Sequence, residues 1–512
     1  MRLNDELETF ISKQDLEDEP VSRSRLIYLT CGLGGLQVVW SVILSNGSPY
    51  LVSLGMSKSL TPLIWIAAPL CGSFVQPLVG SWSDHIATRW GRRRPFILSG
   101  ALGISVSLLF LAWTAELTSY LLPPTGKLYS LIVILCATFW VYALNIFIQP
   151  LQAGIRSLIV ECLPIHRQSQ ASYYVSIMQG IGNIFGYTFG FFILPSVQRK
   201  SMTDFQALSV FASLALCLTA GATCIMISEN RVVPHSSLND EGFGLKTSLN
   251  RILRAYHEMP RTIRQVCHIQ SLAWMGWFPF LYYSTTYVGE FYAGKLLFMD
   301  TLKDRSPASA GVTDILESRS RISQEAIRYG MFASFLFAVV TFSYSIVLPK
   351  ILSTVKGSNV DERTQKSVTP GILHAWLSSH LGFAILMFST FFVRGEAAAT
   401  AIVAFTGLSW AVTLFAPFAI ISTVLAAKHA LREDTSTEVN ATEISCDPGQ
   451  TGALIGLHNM AIQLPQILSA LICSIVYTLA KSLNIPDGTG WVLRVAGVSA
   501  LGAAWMCRKL GD

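Results

Sequence analysis

The amino-acid sequence predicts an all-α integral membrane protein: twelve transmembrane helices in two six-helix halves, with both termini cytoplasmic. Three observations carry this. Hydrophobic residues fill 51% of the 512 positions and charged residues only 13%, too few to cover a soluble surface. The apolar residues gather into runs of about 20, the length that crosses a bilayer core as a helix, where every backbone amide needs an internal partner. A basic, hydrophilic gap then divides those runs six and six.

Residues 1–24 form a polar N-terminal tail with Asp5, Glu6, Glu8, Asp15, Glu17, Asp18 and Glu19 and no apolar stretch, which excludes a cleaved signal peptide. Arg23 and Arg25 precede the first span and place the N-terminus inside the cell. The first half, 25–228, has apolar runs near 27–47, 61–83, 95–115, 128–158, 172–194 and 206–227. Residues 229–266 form a cytoplasmic linker with Arg231, Lys246, Arg251, Arg254, Arg261 and Arg264. The second half, 267–512, has runs near 268–290, 328–350, 371–393, 397–426, 451–480 and 490–508. Alternation then puts Arg89 and Arg92 to Arg94 inside, with Lys350, Lys356 and Lys366, as the positive-inside bias requires. The polar stretch from Lys295 to Arg328 falls outside, and the sequon at Asn440 falls inside and stays unmodified.

A net charge of +6 raises nucleic acid as a partner, but the basic residues sit in short clusters between apolar runs, so the partner is the lipid bilayer. The ten cysteines are scattered singly, which indicates neither a disulfide framework nor a zinc site. No nucleophile stands with a base, no metal-ligand spacing occurs and no glycine loop is built for phosphate. An enzyme is therefore not expected, and no cofactor or metal is implied.

Polar residues inside the spans are the candidates for chemistry. Tyr142, Asn145, Gln149, Gln152 and Arg156 fall within an arc of roughly 80° on span four. Facing lipid, such a stripe costs several kcal/mol, so it faces the bundle interior or a water-filled cavity. Amides and a guanidinium offer the donors and acceptors that a polyhydroxylated sugar needs. The alternative uses are interhelical hydrogen bonds for the amides and, for Arg156, an ion pair with Glu161.

Gly182, Gly186 and Gly190 make a small-residue face on span five, beside Gln179 and Asn183. Trp274, Trp277, Phe278 and Phe280, then Tyr282, Tyr283 and Tyr287, make span seven aromatic, suited to stacking on a sugar or to an interfacial belt. Span eleven carries His458, Asn459, Gln463 and Gln466; His458 is either a structural histidine or a proton carrier. Between spans two and three, Asp84, Gly91, Arg92 and Arg93 have the makings of a cytoplasmic charge latch, with the start of span eleven near Gly449 and Gln450 opposite Asp84.

The loop from Gly80 to Pro95 resembles the G-x-x-x-D-(R/K)-x-G-R-R signature of the major facilitator superfamily, with the three-residue expansion found in sucrose transporters. The resemblance covers most of the chain. It runs through Gln37, Trp40 and Pro49-Tyr50 in span one, Ile64-Trp65 and Val75 to Gly80 in span two, and Gly91 to Ile97 after the loop. It continues in Gly182-Asn183 and Gly186-Tyr187, in Trp277 to Phe280, and in Asn459 with Pro465-Gln466. The resemblance implies two rocking halves around a central cavity, and symport of sucrose or maltose-like α-glucosides with a proton as the coupling ion. The sugar site so implied is Arg156, Asn145, Gln149, Gln152, Gln37, Trp277 and Asn459.

Plant sucrose symporters keep an aspartate eleven residues before the span-four arginine. Arg156 matches the arginine, whereas Asn145 stands in the aspartate's place. Their F-D-T-D-W-M-G-R becomes Tyr283 to Glu290 here, with Ser284 for the first aspartate, and their histidine before span two is replaced by Lys58. The pattern is more similar to fungal sucrose and general α-glucoside permeases. Glu161, Glu290 and His458 are the remaining proton-coupling candidates. An uncoupled facilitator or a carrier of another glycoside or polyol is the alternative within the class, and a non-transporting sugar sensor the alternative outside it. The expected location is the plasma membrane, with a vacuolar or other internal membrane as the alternative.

Overall fold

The structure, a computed structural model, describes residues 22–76, 78, 79, 83, 88–124, 126–163, 168–194, 202–229, 256, 257, 259–303, 312–355, 370–435 and 448–511. Every regular element among these residues is helical. The N-terminal helices are α1 (Arg23–Ser53), α2 (Thr61–Val75), α3 (Arg94–Ala112), α4 (Lys127–Cys162), α5 (Gln168–Thr188) and α6 (Asp204–Met226). The C-terminal ones are α7 (Arg261–Lys303), α8 (Val312–Val355), α9 (Pro370–Ser389), α10 (Glu396–Thr435), α11 (Pro448–Ser482) and α12 (Gly488–Gly511).

Among the described residues, nine helices are long and apolar enough to cross a membrane. The expected spans two, five and seven are helical but fall outside that group, each for a physical reason. The apolar part of α2 is short, and it is broken at Trp65 and Ile66 because Pro69 has no N–H to give the Trp65 carbonyl. Helices α5 and α7 are diluted by amides and by Trp and Tyr rings. Several helices also outrun their expected spans: α7 begins at Arg261, inside the expected linker, and the polar stretch after span seven is largely the ends of α7 and α8.

Two buried clusters form the core, one mostly of residues from α1 to α6 and one of residues from α7 to α12. Large apolar side chains such as Leu128, Leu131 and Leu135 of α4 and Leu214, Leu218 and Ile225 of α6 remain on the outside, as lipid-facing stripes require. Helix α1 packs against α5 where Gly182 meets the Gly34 carbonyl so closely that no side chain fits between them. Helix α6 starts at a capping box in which Thr203 and Gln206 satisfy each other's backbone N–H.

We call the end that carries Arg23 and the turn at Thr88 to Gly91 the near end, and the end that carries the Leu54 to Leu60 turn the far end. The clusters meet toward the far end. There Ser48 donates to the Tyr282 carbonyl at 3.3 Å, Thr285 donates to the Ser45 carbonyl at 3.1 Å, and the Trp65 and Tyr282 rings lie 4.9 Å apart. Arg328 of α8 holds Asp204 of α6 through two bonds of 2.8 Å.

Candidate functional site

The polar stripe of α4 lies between its buried core face and its exposed outer face. Its burial falls along the helix toward the near end: Asn145 and Gln149 are buried, Gln152 is half-buried and Arg156 is exposed. Asn145 donates to the Val141 carbonyl at 2.8 Å and Gln149 to the Asn145 carbonyl at 3.0 Å, so both amino groups are spent on their own helix. The side-chain oxygen of Asn145, Oδ1, is buried with no donor among the described residues. Arg156 is surrounded by protein yet reachable by solvent, as befits a group lining a cleft, and among the described residues it has no ion-pair partner. A guanidinium with no ion-pair partner among the described residues, at the exposed end of an amide stripe, is a recognition surface for hydroxyls.

The other candidates divide. Gln37 of α1 donates to Asn183 of α5 at 3.0 Å, so this pair joins two helices across the Gly34–Gly182 contact. Asn459 is half-buried on α11 and Gln463 lies over Gly72 of α2. Trp277 does not face the seam between the two clusters: it is packed among Phe383, at 4.3 Å between ring centroids, and Trp410, at 4.7 Å, in the C-terminal core. An aromatic-rich sequence cannot distinguish these two fates, because core packing and sugar stacking use the same rings. His458 is buried edge-on to Phe418, 5.1 Å between centroids, and neither ring nitrogen has a partner among the described residues.

The arginine loop is a network at the near end. Gly91 has φ +108°, a backbone that favours glycine, and its N–H closes the turn on the Thr88 carbonyl. That turn aims the N–H groups of Arg92, Arg93 and Arg94 at one carboxylate, Glu229, with bonds of 2.5, 3.0 and 2.8 Å. An anion at the start of α3 is what its helix terminus favours. Glu229 opens the expected linker and was missed as a site residue; its signal is an acid just past the end of an apolar span. Glu161 takes Arg93 at 2.6 Å and Arg92 at 3.1 Å, so the pairing of Arg156 with Glu161 is not formed. Asp84 lies outside the described residues, as does the side chain of Gln450.

Glu290 sits at the far end of α7, where Lys58 reaches it at 2.5 Å and Thr489 of α12 donates to it at 3.0 Å. Ser284, in the place of a plant aspartate, borders a small cavity with Tyr187, Thr285 and Ser334 that contains no charged side chain.

The profile of the family described as MFS/sugar transport protein matches residues 31–302. A general alpha-glucoside permease of Schizosaccharomyces pombe is 32% identical over 95% of this chain and 93% of its own length. Sucrose transport protein SUT3 of Oryza sativa subsp. japonica is 25% identical, with 87% of this chain and 85% of that one covered. Among solved structures, the xylose transporter XylE of E. coli in a partially occluded inward open conformation has a TM-score of 0.59 at 13% identity, covering 94% of this chain and 97% of that one. An inward-facing, occupied bacterial homolog of the human lysosomal transporter Spinster gives 0.57 at 11%, covering 96% and 97%. The family profile and the permease relative together make this chain a membrane transporter of the major facilitator superfamily, and the solved structures share its fold. The chain belongs to the MFS/sugar transport protein family of that superfamily.

Proposed function

We propose that this transporter carries sucrose or a related α-glucoside such as maltose by alternating access, in symport with a proton. Twelve spans form two six-helix halves with both termini cytoplasmic, so the near end faces the cytoplasm and the far end the exterior. The observation that carries the reading is Arg156, a guanidinium with no ion-pair partner among the described residues, on a membrane helix at the exposed end of an amide stripe. Nothing among the described residues neutralises it, and a sugar's hydroxyls fit its donors. The names of the relatives, an α-glucoside permease and a sucrose transport protein, support the choice of substrate.

For coupling, Glu290 is the best placed of the three candidates. Protonation removes its charge and with it the ion pair to Lys58, linking proton entry from outside to opening of the far end. One proton moving down 100 mV supplies about 2.3 kcal/mol, enough for roughly a 50-fold sugar gradient. Asn145 and Ser284 favour an uncoupled facilitator as the second reading, since neither can titrate. Uptake of radiolabelled sucrose and maltose by a transport-deficient cell tests the proposal, with the plasma membrane as the expected location. Surface-resident protein that moves neither sugar overturns it. Accumulation that withstands a protonophore favours the facilitator.

A further inference from the structure

Two π-helical turns interrupt the N-terminal helices, and they are built alike. One is Cys71-Gly72-Ser73-Phe74-Val75 in α2, closed by the Gln76 N–H on the Cys71 carbonyl. The other is Phe189-Gly190-Phe191-Phe192-Ile193 at the end of α5, closed by the Leu194 N–H on the Phe189 carbonyl. Each has glycine second and phenylalanine fourth. Phe74 and Phe192 both point outward, 58% and 51% exposed. Each glycine receives a side chain from a C-terminal helix: a Cβ on Gly72 would stand 2.9 Å from Cδ of Gln463 of α11, and one on Gly190 would strike the methyl end of Met331 of α8. Met331 is fixed in turn by Asn46 of α1, whose Nδ2 lies 3.4 Å from its sulfur.

A π turn holds one more residue than an α turn and is the less stable form, so it persists where its surroundings favour it. Converting it to α turns the rest of the helix by about 100°. That rotation would swing the glycine away from the knob it receives and bring a larger side chain round. The turns occur in α2 and α5, which meet α11 and α8 across the seam; each is the second helix of a run of three. We propose that the two turns are paired hinge sockets, which grip Gln463 and Met331 while the far end is closed and rewind toward α-helix to release them when it opens. The proposal rests on alternating access, but not on which sugar is carried.

The test is a double-mutant cycle at each socket, with the full chain in vesicles and surface-accessible native cysteines replaced. Ser48→Cys, buried at the far-end seam, reports opening by its reaction with an impermeant maleimide. Gly190→Ala and Met331→Ala should each raise labelling about fivefold or more, with the double variant closer to the parent than either single one. Gly72→Ala with Gln463→Ala should behave the same way. Hydrogen exchange at the Gln76 and Leu194 amides should change in step with labelling, by about tenfold. If Gly190→Ala fails to fold, Met331→Ala with its exchange readout decides alone. Additive effects, or exchange at those amides that ignores the opening of the seam, overturn the proposal. Labelling that follows the cycle in a protein that moves no sugar keeps the hinge and removes the sugar assignment.

Discussion

Arg93, just before α3, holds Glu161 of α4 through two of its nitrogens, at 2.6 and 3.0 Å, and thereby keeps that carboxylate from Arg156 on the same helix. Arg93 is only 6% exposed, so removing the charge of Glu161 weakens the ion pair of a buried guanidinium. Glu161→Gln should cost about 1–3 kcal/mol of stability, read as a lower melting temperature of the purified protein. An unchanged melting temperature would show that the pair is not structural and return Glu161 to the coupling candidates.

Arg156→Ala should do the opposite. With no ion pair to lose among the described residues, it should leave melting and surface level unchanged while uptake falls by about 10-fold or more, the worth of one charged hydrogen bond. Arg156→Lys should recover only part of the rate, since an ammonium lacks the planar fork. Normal uptake by the alanine variant removes Arg156 from the site.

Gly91 and Gly126 share a positive φ, of +108° and +105°, and differ in surroundings. A Cβ on Gly91 would lie 2.5 Å from the Glu229 carboxylate, whereas one on Gly126 meets nothing. Gly126→Ala should therefore cost about 1 kcal/mol of backbone strain. Gly91→Ala should cost more, about 2–4 kcal/mol, because it also displaces the acid that caps α3. Equal melting temperatures for the two variants would show that the Glu229 contact contributes nothing.

The contrast explains what was legible in the sequence. Apolar runs announce helices in lipid because the backbone has no other solution there, and α1, α3, α4, α6 and α8 to α12 all stood out on that ground. Three helices did so less well. Polar and aromatic residues that line a pathway also lower apolarity, so α2, α5 and α7 are weakest in the signal that finds spans. The stripe on α4 was visible because period and polarity coincide. The link from Glu229 to Arg92, Arg93 and Arg94 was not, since it joins residues more than a hundred positions apart. Nor does composition separate Trp277 in a core from a ring in a site.

Glu290 and His458 make opposite predictions for coupling. Glu290 is partly exposed and shared between Lys58 and Thr489, so its charge bears on whether the far end stays shut. Glu290→Gln keeps the shape and the Thr489 contact but cannot change charge. Accumulation against a gradient should therefore be lost and pH dependence flattened, while exchange of labelled for unlabelled sugar persists at about the parental rate. His458 is enclosed beside Phe418 with no polar relay among the described residues, so His458→Asn should leave the pH profile of uptake where it was. Uptake measured across a clamped pH series, with both variants at matched surface level, decides between them. A flattened profile in the His458 variant and a normal one in the Glu290 variant would transfer the proton to α11 and reduce the Lys58–Glu290 pair to a surface contact, worth only about 0–1 kcal/mol.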